Sequence, residues 1–220
     1  MFMLMEWADG AMMDYLPTAP NEALCRESGY QLGLIHSAPV DAFSHVSGAG
    51  ISNIESTLQD VDLLERKWRD AGGDNPVIAY AINWLRDHVQ MADGPRSLTH
   101  GDYRGHNMLQ KDDRIAAILD WEHGRVTHPA RDFGYSRAFI DAIGGWDCFT
   151  QAYVAGGGAV PTDEALHYFE ILASVFIIAV IAQIGNNYTG SATQQLATAA
   201  SVVHRGPVQM RRLIELLDLA

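Results

Sequence analysis

The chain has 220 residues, 48% of them hydrophobic and 19% charged, with a formal net charge of −12. That length and composition supply at least one sizeable core and exclude a disordered polyelectrolyte. The acidic balance argues against nucleic acid as a partner, because phosphate binding needs a basic surface; it suits a cationic ligand or simple solubility.

Taken in chain order, "MFMLMEW" reads as a short strand over residues 1–7, closed by Gly10 and followed by a loop marked by Pro17 and Pro20. It has no basic region ahead of its apolar residues and is too short for a signal peptide. Asn21 is a predicted N-cap for a helix over 22–36, with Leu24, Tyr30, Leu32, Leu34 and Ile35 as its apolar side. "SGAGIS" is loop-like, and "LQDVDLLERKWRDAGG" predicts an amphipathic helix stopped by Gly72 and Gly73. Pro76 suits the first turn of a further helix, through about Gln90.

After the turn "ADGP" come a short strand ending near Thr99, the loop "HGDYRGHN" and the segments "MLQ", "KDDR" and "IAAILD", which together predict a β-hairpin. Everything past Pro129 looks helical, with breaks at Gly144-Gly145, Gly156 to Gly158 and Gly190. The last helix, about 194–217, is expected to break near Gly206-Pro207. The apolar run over 171–182 reads as a buried helix, too short to span a bilayer. The expected fold class is α+β, predominantly α-helical. Cys25 and Cys148 form no CxxC pair and read as two free thiols, which fits a reducing cytoplasm.

The chemistry concentrates in the loop and the hairpin behind it. A hairpin returns the chain to roughly where it left. Asn107 enters it and Asp120 leaves it, so both side chains can face one point. Two hard oxygen donors there suit Mg²⁺, which takes one or two protein oxygens plus water and phosphate oxygens. Asp102 lies nearby on the loop. An aspartate to accept a hydroxyl proton, with an Asn/Asp pair to hold metal on nucleotide phosphates, is a phosphoryl-transfer arrangement. The four histidines of this region, His100, His106, His123 and His128, form neither an H-x-H nor an H-E-x-x-H pair, so loop and surface roles outweigh a zinc site. No G-x-S-x-G elbow is present, and the glycines at 156–158 lack a following GK[ST], so they read as a turn rather than a phosphate cradle.

"HGDYRGHN" resembles the H-G-D-x-x-x-x-N catalytic loop of the aminoglycoside phosphotransferase and choline kinase family. "ILDWEHGRVTHPARDFGY" resembles that family's I-D-W-E and G-D-P-x-x-D-L-A segments, "FMLMEWADG" its hinge strand, and "LGLIHS" its L-x-x-L-H helix end. The resemblance implies a protein-kinase-like large lobe with a short hinge strand and a catalytic-loop hairpin. It assigns Asp102 as catalytic base, Asn107 and Asp120 as Mg²⁺ ligands, and the backbone of Glu6 and Ala8 as adenine contacts. His100 and Asp132 are implied as loop supports. ATP is the implied co-substrate, and the implied partner is a small-molecule hydroxyl acceptor, with no membrane. Residues 132–134 also read "DFG", the protein-kinase metal motif, but Asp132 sits beyond the hairpin at a helix start, so Asp120 is preferred as the ligand. Where the family has G-D-P, this chain has Thr127-His128-Pro129.

The expected organisation is one large-lobe domain over 1–220, with a hinge at 1–10, the catalytic loop and metal hairpin at 97–122 and a helical subdomain at 130–220. A small N-terminal lobe with its phosphate lysine is expected to be absent: the only lysines are Lys67 in a helical pattern and Lys111 in the hairpin turn. The strand from Met1 to Met5 would then be an exposed apolar edge, prone to pair with another chain.

Overall fold

The computed structural model describes residues 7–190 and 196–219. They are mostly helical, with five short strands, and gather into two compact units. One joins the described residues up to Gly50 with Pro95–Pro161; the other joins Ile51–Gly94 with the described residues from Thr162 onward. Glu6 and the strand expected from Met1 to Met5 lie outside the described residues.

In the first unit, residues 7–10 have no regular strand, and β1 falls at Ala11–Met12, a strand the sequence alone does not suggest. Its place is set by its partner: Ala11 and Met12 pair antiparallel with Gln110 and Leu109. That pairing joins β1 to the expected hairpin, β3 (Met108–Lys111) and β4 (Arg114–Ile118), in the order β1-β3-β4. The two-residue turn is Asp112-Asp113, both at positive φ (52° and 59°), the geometry that matches strand twist in a tight hairpin. β2 (Ser97–Thr99) pairs with β5 (Arg125–Thr127), a strand the sequence reading did not include.

Helix α1 (Glu22–Ser37) starts as expected: the Asn21 side chain accepts the Leu24 N–H at 3.1 Å. Its buried side is the expected one only in part. Leu24 and Leu32 are buried as expected, with Cys25, Ser28, Gly29, Gly33 and His36 beside them, whereas Tyr30 and Leu34 are exposed. The reason is close approach to α5 (Trp146–Ala155). A Cβ on Gly29 would lie 2.3 Å from the Phe149 carbonyl oxygen, and one on Gly33 would lie 2.2 Å from that of Tyr153. Small residues therefore face α5, and the large ones are displaced to its margins. Helix α4 (Ala130–Ile143) completes this unit and supplies Phe133, which packs edge-on against Phe149 and Tyr153.

The second unit is helical. α2 (Asn53–Asp70) begins five residues before the amphipathic stretch, because Ser52 caps it by accepting the Glu55 N–H at 3.1 Å. The S-x-x-E spacing of Ser52 and Glu55 was the available signal. α3 (Pro76–Asp87) opens on its proline and gives way to a 3-10 turn at Val89–Ala92. α6 (Asp163–Gly190) packs against α2, α3 and α7 (Leu196–Leu216). α6 is longer than its apolar run and, by length and composition alone, long enough to cross a membrane. However, 61% of its apolar window is buried inside the protein, as in a core helix. α7 runs through Pro207 without the expected break. Pro207 and Val203, whose carbonyl loses its partner, are both exposed, so water can satisfy that group.

Candidate active site

The loop between β2 and β3 is built around a buried carboxylate. Asp132, in the first turn of α4, has no solvent exposure. Its Oδ2 accepts the His100 N–H at 2.8 Å and its Oδ1 the Gly101 N–H at 2.6 Å. Oδ2 also meets His36 Nε2 at 2.9 Å, and His36 Nδ1 lies 2.9 Å from the Tyr153 hydroxyl. Burial alone would raise the Asp132 pKa. The His36 hydrogen bond and charge, with the two backbone N–H groups, outweigh it and hold the carboxyl below its ordinary value. Asp132 therefore lies beneath the loop, with its oxygens committed to backbone and histidine. Gly101 above it has φ +83°, and a Cβ there would sit 2.4 Å from Arg131 Nη1 and 2.6 Å from the His123 carbonyl oxygen. Only glycine meets both demands.

His100 is fully buried and ties the loop to the far end of the hairpin. Its Nδ1 accepts the Asp102 N–H at 3.2 Å, which assigns the ring proton to Nε2, and Nε2 donates to the Leu119 carbonyl at 2.8 Å. The ring packs on Trp121 at 4.7 Å. Tyr103, also buried, donates its hydroxyl to the Ser28 carbonyl of α1 at 2.8 Å. His128 stands where an aspartate is expected, and its Nδ1 accepts the Ala130 N–H at 3.1 Å. The imidazole thus supplies an acceptor to the first N–H of α4.

On the outer side, Asn107 Nδ2 donates to both the Asp102 carbonyl (2.9 Å) and Asp102 Oδ2 (3.1 Å). The Asn107 carbonyl accepts the Leu119 N–H at 2.8 Å, so the hairpin brings residue 120 to the same end as Asn107. Asp120 adopts left-handed geometry (φ 64°, ψ 58°), which aspartate tolerates, and is exposed. It precedes the 3-10 turn Trp121–His123 without forming a side-chain capping bond to it.

The structure therefore brings Asp102 and Asn107 into contact and places Asp120 just beyond the end of their hairpin. Ala8 is part of the irregular segment ahead of β1. Among the described residues, no three His, Cys, Asp or Glu side chains converge as a metal cluster.

Arg104 and Tyr15 are not marked in the sequence reading, which marks His106 only as a loop or surface histidine. Arg104 Nε lies 3.0 Å from Asp102 Oδ1, and His106 Nε2 lies 3.3 Å from Oδ2. The Tyr15 hydroxyl accepts from Arg104 Nη1, and its ring packs on His106 at 5.0 Å. Arg104 and His106 had a signal, two basic residues inside the loop. Tyr15 had none, since its partner is far along the chain.

The model of the phosphotransferase enzyme family matches residues 1–169. The chain is 32% identical to acyl-CoA dehydrogenase family member 11 of Homo sapiens over 110 residues, 49% of this chain and 14% of that protein. It is 25% identical to the Pongo abelii protein of the same name over 146 residues, 63% of this chain and 18% of that one. These matches span less than a fifth of the relatives' length. Among solved structures, a "putative aminoglycoside phosphotransferase" from Ralstonia eutropha superposes with a TM-score of 0.76 at 16% identity, covering 97% of this chain and 72% of that one. A macrolide 2'-phosphotransferase type I gives 0.60 at 20% identity, covering 90% and 67%. At these identities the likeness is one of fold, and that fold is protein-kinase-like.

Proposed function

This chain belongs to the phosphotransferase enzyme family, and from that premise we propose that it carries the catalytic loop of an ATP- and Mg²⁺-dependent transferase acting on a small-molecule hydroxyl. The observation that carries this reading is the Asp102–Asn107 contact at the mouth of a hairpin that returns at Asp120. The donors fit the ion: Asn107 spends its amide nitrogen on Asp102, leaving its carbonyl oxygen, and Asp120 offers an exposed carboxylate. Bound Mg²⁺ would neutralise charge on the nucleotide phosphates. Asp102 accepts the proton of the acceptor hydroxyl, and Asn107 orients it for that step. The backbone around Glu6 and Ala8 contacts adenine. His100 and Asp132 hold the loop in place, so little reorganisation is needed at the moment of transfer. The setting is cytoplasmic, and no membrane or nucleic acid is engaged.

The test is ATP turnover with Mg²⁺ across a panel of small hydroxyl compounds, alongside calorimetric nucleotide binding. Asp102→Ala is expected to lower turnover by about 10²–10⁴-fold while nucleotide binding persists. Asn107→Ala and Asp120→Ala are expected to raise the Mg²⁺ requirement. A wild-type chain that binds no ATP sinks the proposal, as does an Asp102→Ala variant that turns over normally. A second reading is a lobe that binds without turnover. It is favoured by the engagement of both Asp102 oxygens with Arg104, His106 and Asn107. ATP binding with no turnover in the wild type would select it.

A further inference from the structure

The cysteines outside this site sit together. Cys25 lies in the first turns of α1 and is fully buried; Cys148 is the third residue of α5 and is half-buried. They are the only two in the chain, 123 positions apart. Each thiol reaches the start of the other's helix: Cys25 Sγ lies 3.8 Å from the carbonyl oxygen of Gly145, which precedes α5, and Cys148 Sγ lies 3.9 Å from that of Glu22, the first residue of α1. Both sulfurs also flank one point. A Cβ built on Gly144 would lie 2.9 Å from Cys25 Sγ and 3.7 Å from Cys148 Sγ. Gly144 has no such atom, and its absence leaves space beside the two sulfurs.

The two thiols differ in chemistry. Burial first, and then the Cys148 thiol beside it, raise the Cys25 pKa well above the ordinary value, so Cys25 stays protonated. Cys148 is partly open to solvent, so an oxidant reaches it before the buried Cys25.

We propose that Cys25 and Cys148 are a peroxide-responsive pair that closes reversibly into an intrachain disulfide. Cys148, the more exposed thiol, gives up its proton, and its sulfur attacks one oxygen of hydrogen peroxide. The O–O bond breaks, hydroxide leaves as water after taking a proton, and Cys148 becomes a sulfenic acid. The Cys25 sulfur then attacks the Cys148 sulfur. The S–O bond breaks, and hydroxide leaves as water with the Cys25 proton. Two thiols are oxidised to one disulfide, and one peroxide is reduced to two waters; a dithiol reductant reverses the change. The bond would join α1 and α5 at one end. Further along, the same helices grip the catalytic loop's anchor, since α1 carries His36 and α5 carries the Tyr153 that bonds it. This inference does not depend on the nature of the phosphoryl acceptor.

The full chain would be reduced, exposed to hydrogen peroxide, and alkylated after unfolding. Intact mass and non-reducing peptide mapping are expected to show loss of both alkylation sites and a Cys25–Cys148 peptide pair. A higher thermal midpoint is expected than in the reduced chain, because a cross-link across so long a loop restricts the unfolded state. In Cys148→Ser, Cys25 is expected to remain alkylatable. Two thiols still free after peroxide, a disulfide between chains instead of within one, or a lowered midpoint would each overturn the proposal. Ready oxidation of Cys25 in Cys148→Ser would overturn the assigned order of attack.

Discussion

Each of the two compact units has an interior of its own chemistry. Around the loop between β2 and β3, the first unit buries a charged and polar network: Asp132 with His36, the His100 and Gly101 amides, the His100 ring and the Tyr103 hydroxyl. The second unit buries aliphatic and aromatic side chains such as Ile78, Leu85, Phe169, Leu172 and Leu213, and keeps its ion pairs at partly exposed positions. Apolar packing tolerates small adjustments of position, because it is non-directional. A buried carboxylate with several donors fixes a loop far more narrowly, but losing one partner strands the rest. The first unit thus places its loop by directional bonds, and the second holds its helices by area.

That contrast predicts a graded series. Asp132→Ala should have the largest effect, costing about 3–5 kcal/mol in chemical denaturation, since it leaves His36 and two backbone N–H groups without their buried partner. Gly101→Ala should cost about 1–3 kcal/mol, because the new Cβ meets both a strained φ and a backbone oxygen. It should also lower turnover, since the strain falls on the loop. Tyr168→Phe in the second unit removes one buried hydrogen bond to the Leu85 carbonyl and should cost about 0.5–1.5 kcal/mol. Arg212→Ala removes a partly exposed pair with Glu170 and should cost at most about 1 kcal/mol. If Tyr168→Phe proved as damaging as Asp132→Ala, the contrast between the units would fail.

Acid sharpens the same comparison. The folded-state pKa of Asp132 lies below its unfolded value of about 3.9. Its stabilisation is therefore fully present above that unfolded value and is lost as pH falls through the folded one. Denaturation midpoints recorded downward from pH 5 should drop in the wild type. The Asp132→Ala variant, which lacks the group, should show a shallower decline.

Much of the first unit was legible because its signals are local. The Asn21 cap, the Asp112-Asp113 turn and the spacing of Asp102, Asn107 and Asp120 each act within a few residues or across one hairpin. The same holds for the breaks at Gly144-Gly145 and at 156–158, between helices. The misreadings share a different cause. Tyr30 and Leu34 look like a core face, yet α5 approaches so closely that glycines take that place. Pro207 looks like a break, but exposure lets the helix continue. The amphipathic pattern of α2 starts later than the helix, whose first turn is set by the Ser52 cap on the Glu55 N–H.

The loop between β2 and β3 makes the division plain. Its order of residues alone determined the hairpin that brings Asn107 and Asp120 to one end, with Asp102 nearby, because a short hairpin returns the chain to where it left. The tertiary structure decided what restrains them. It placed Asp132 under the loop, paired it with a histidine from α1, closed Tyr15 over Arg104 and His106, and set two distant cysteines side by side. Each of those contacts joins residues separated by tens of positions, and their meeting depends on how helices pack rather than on any local preference.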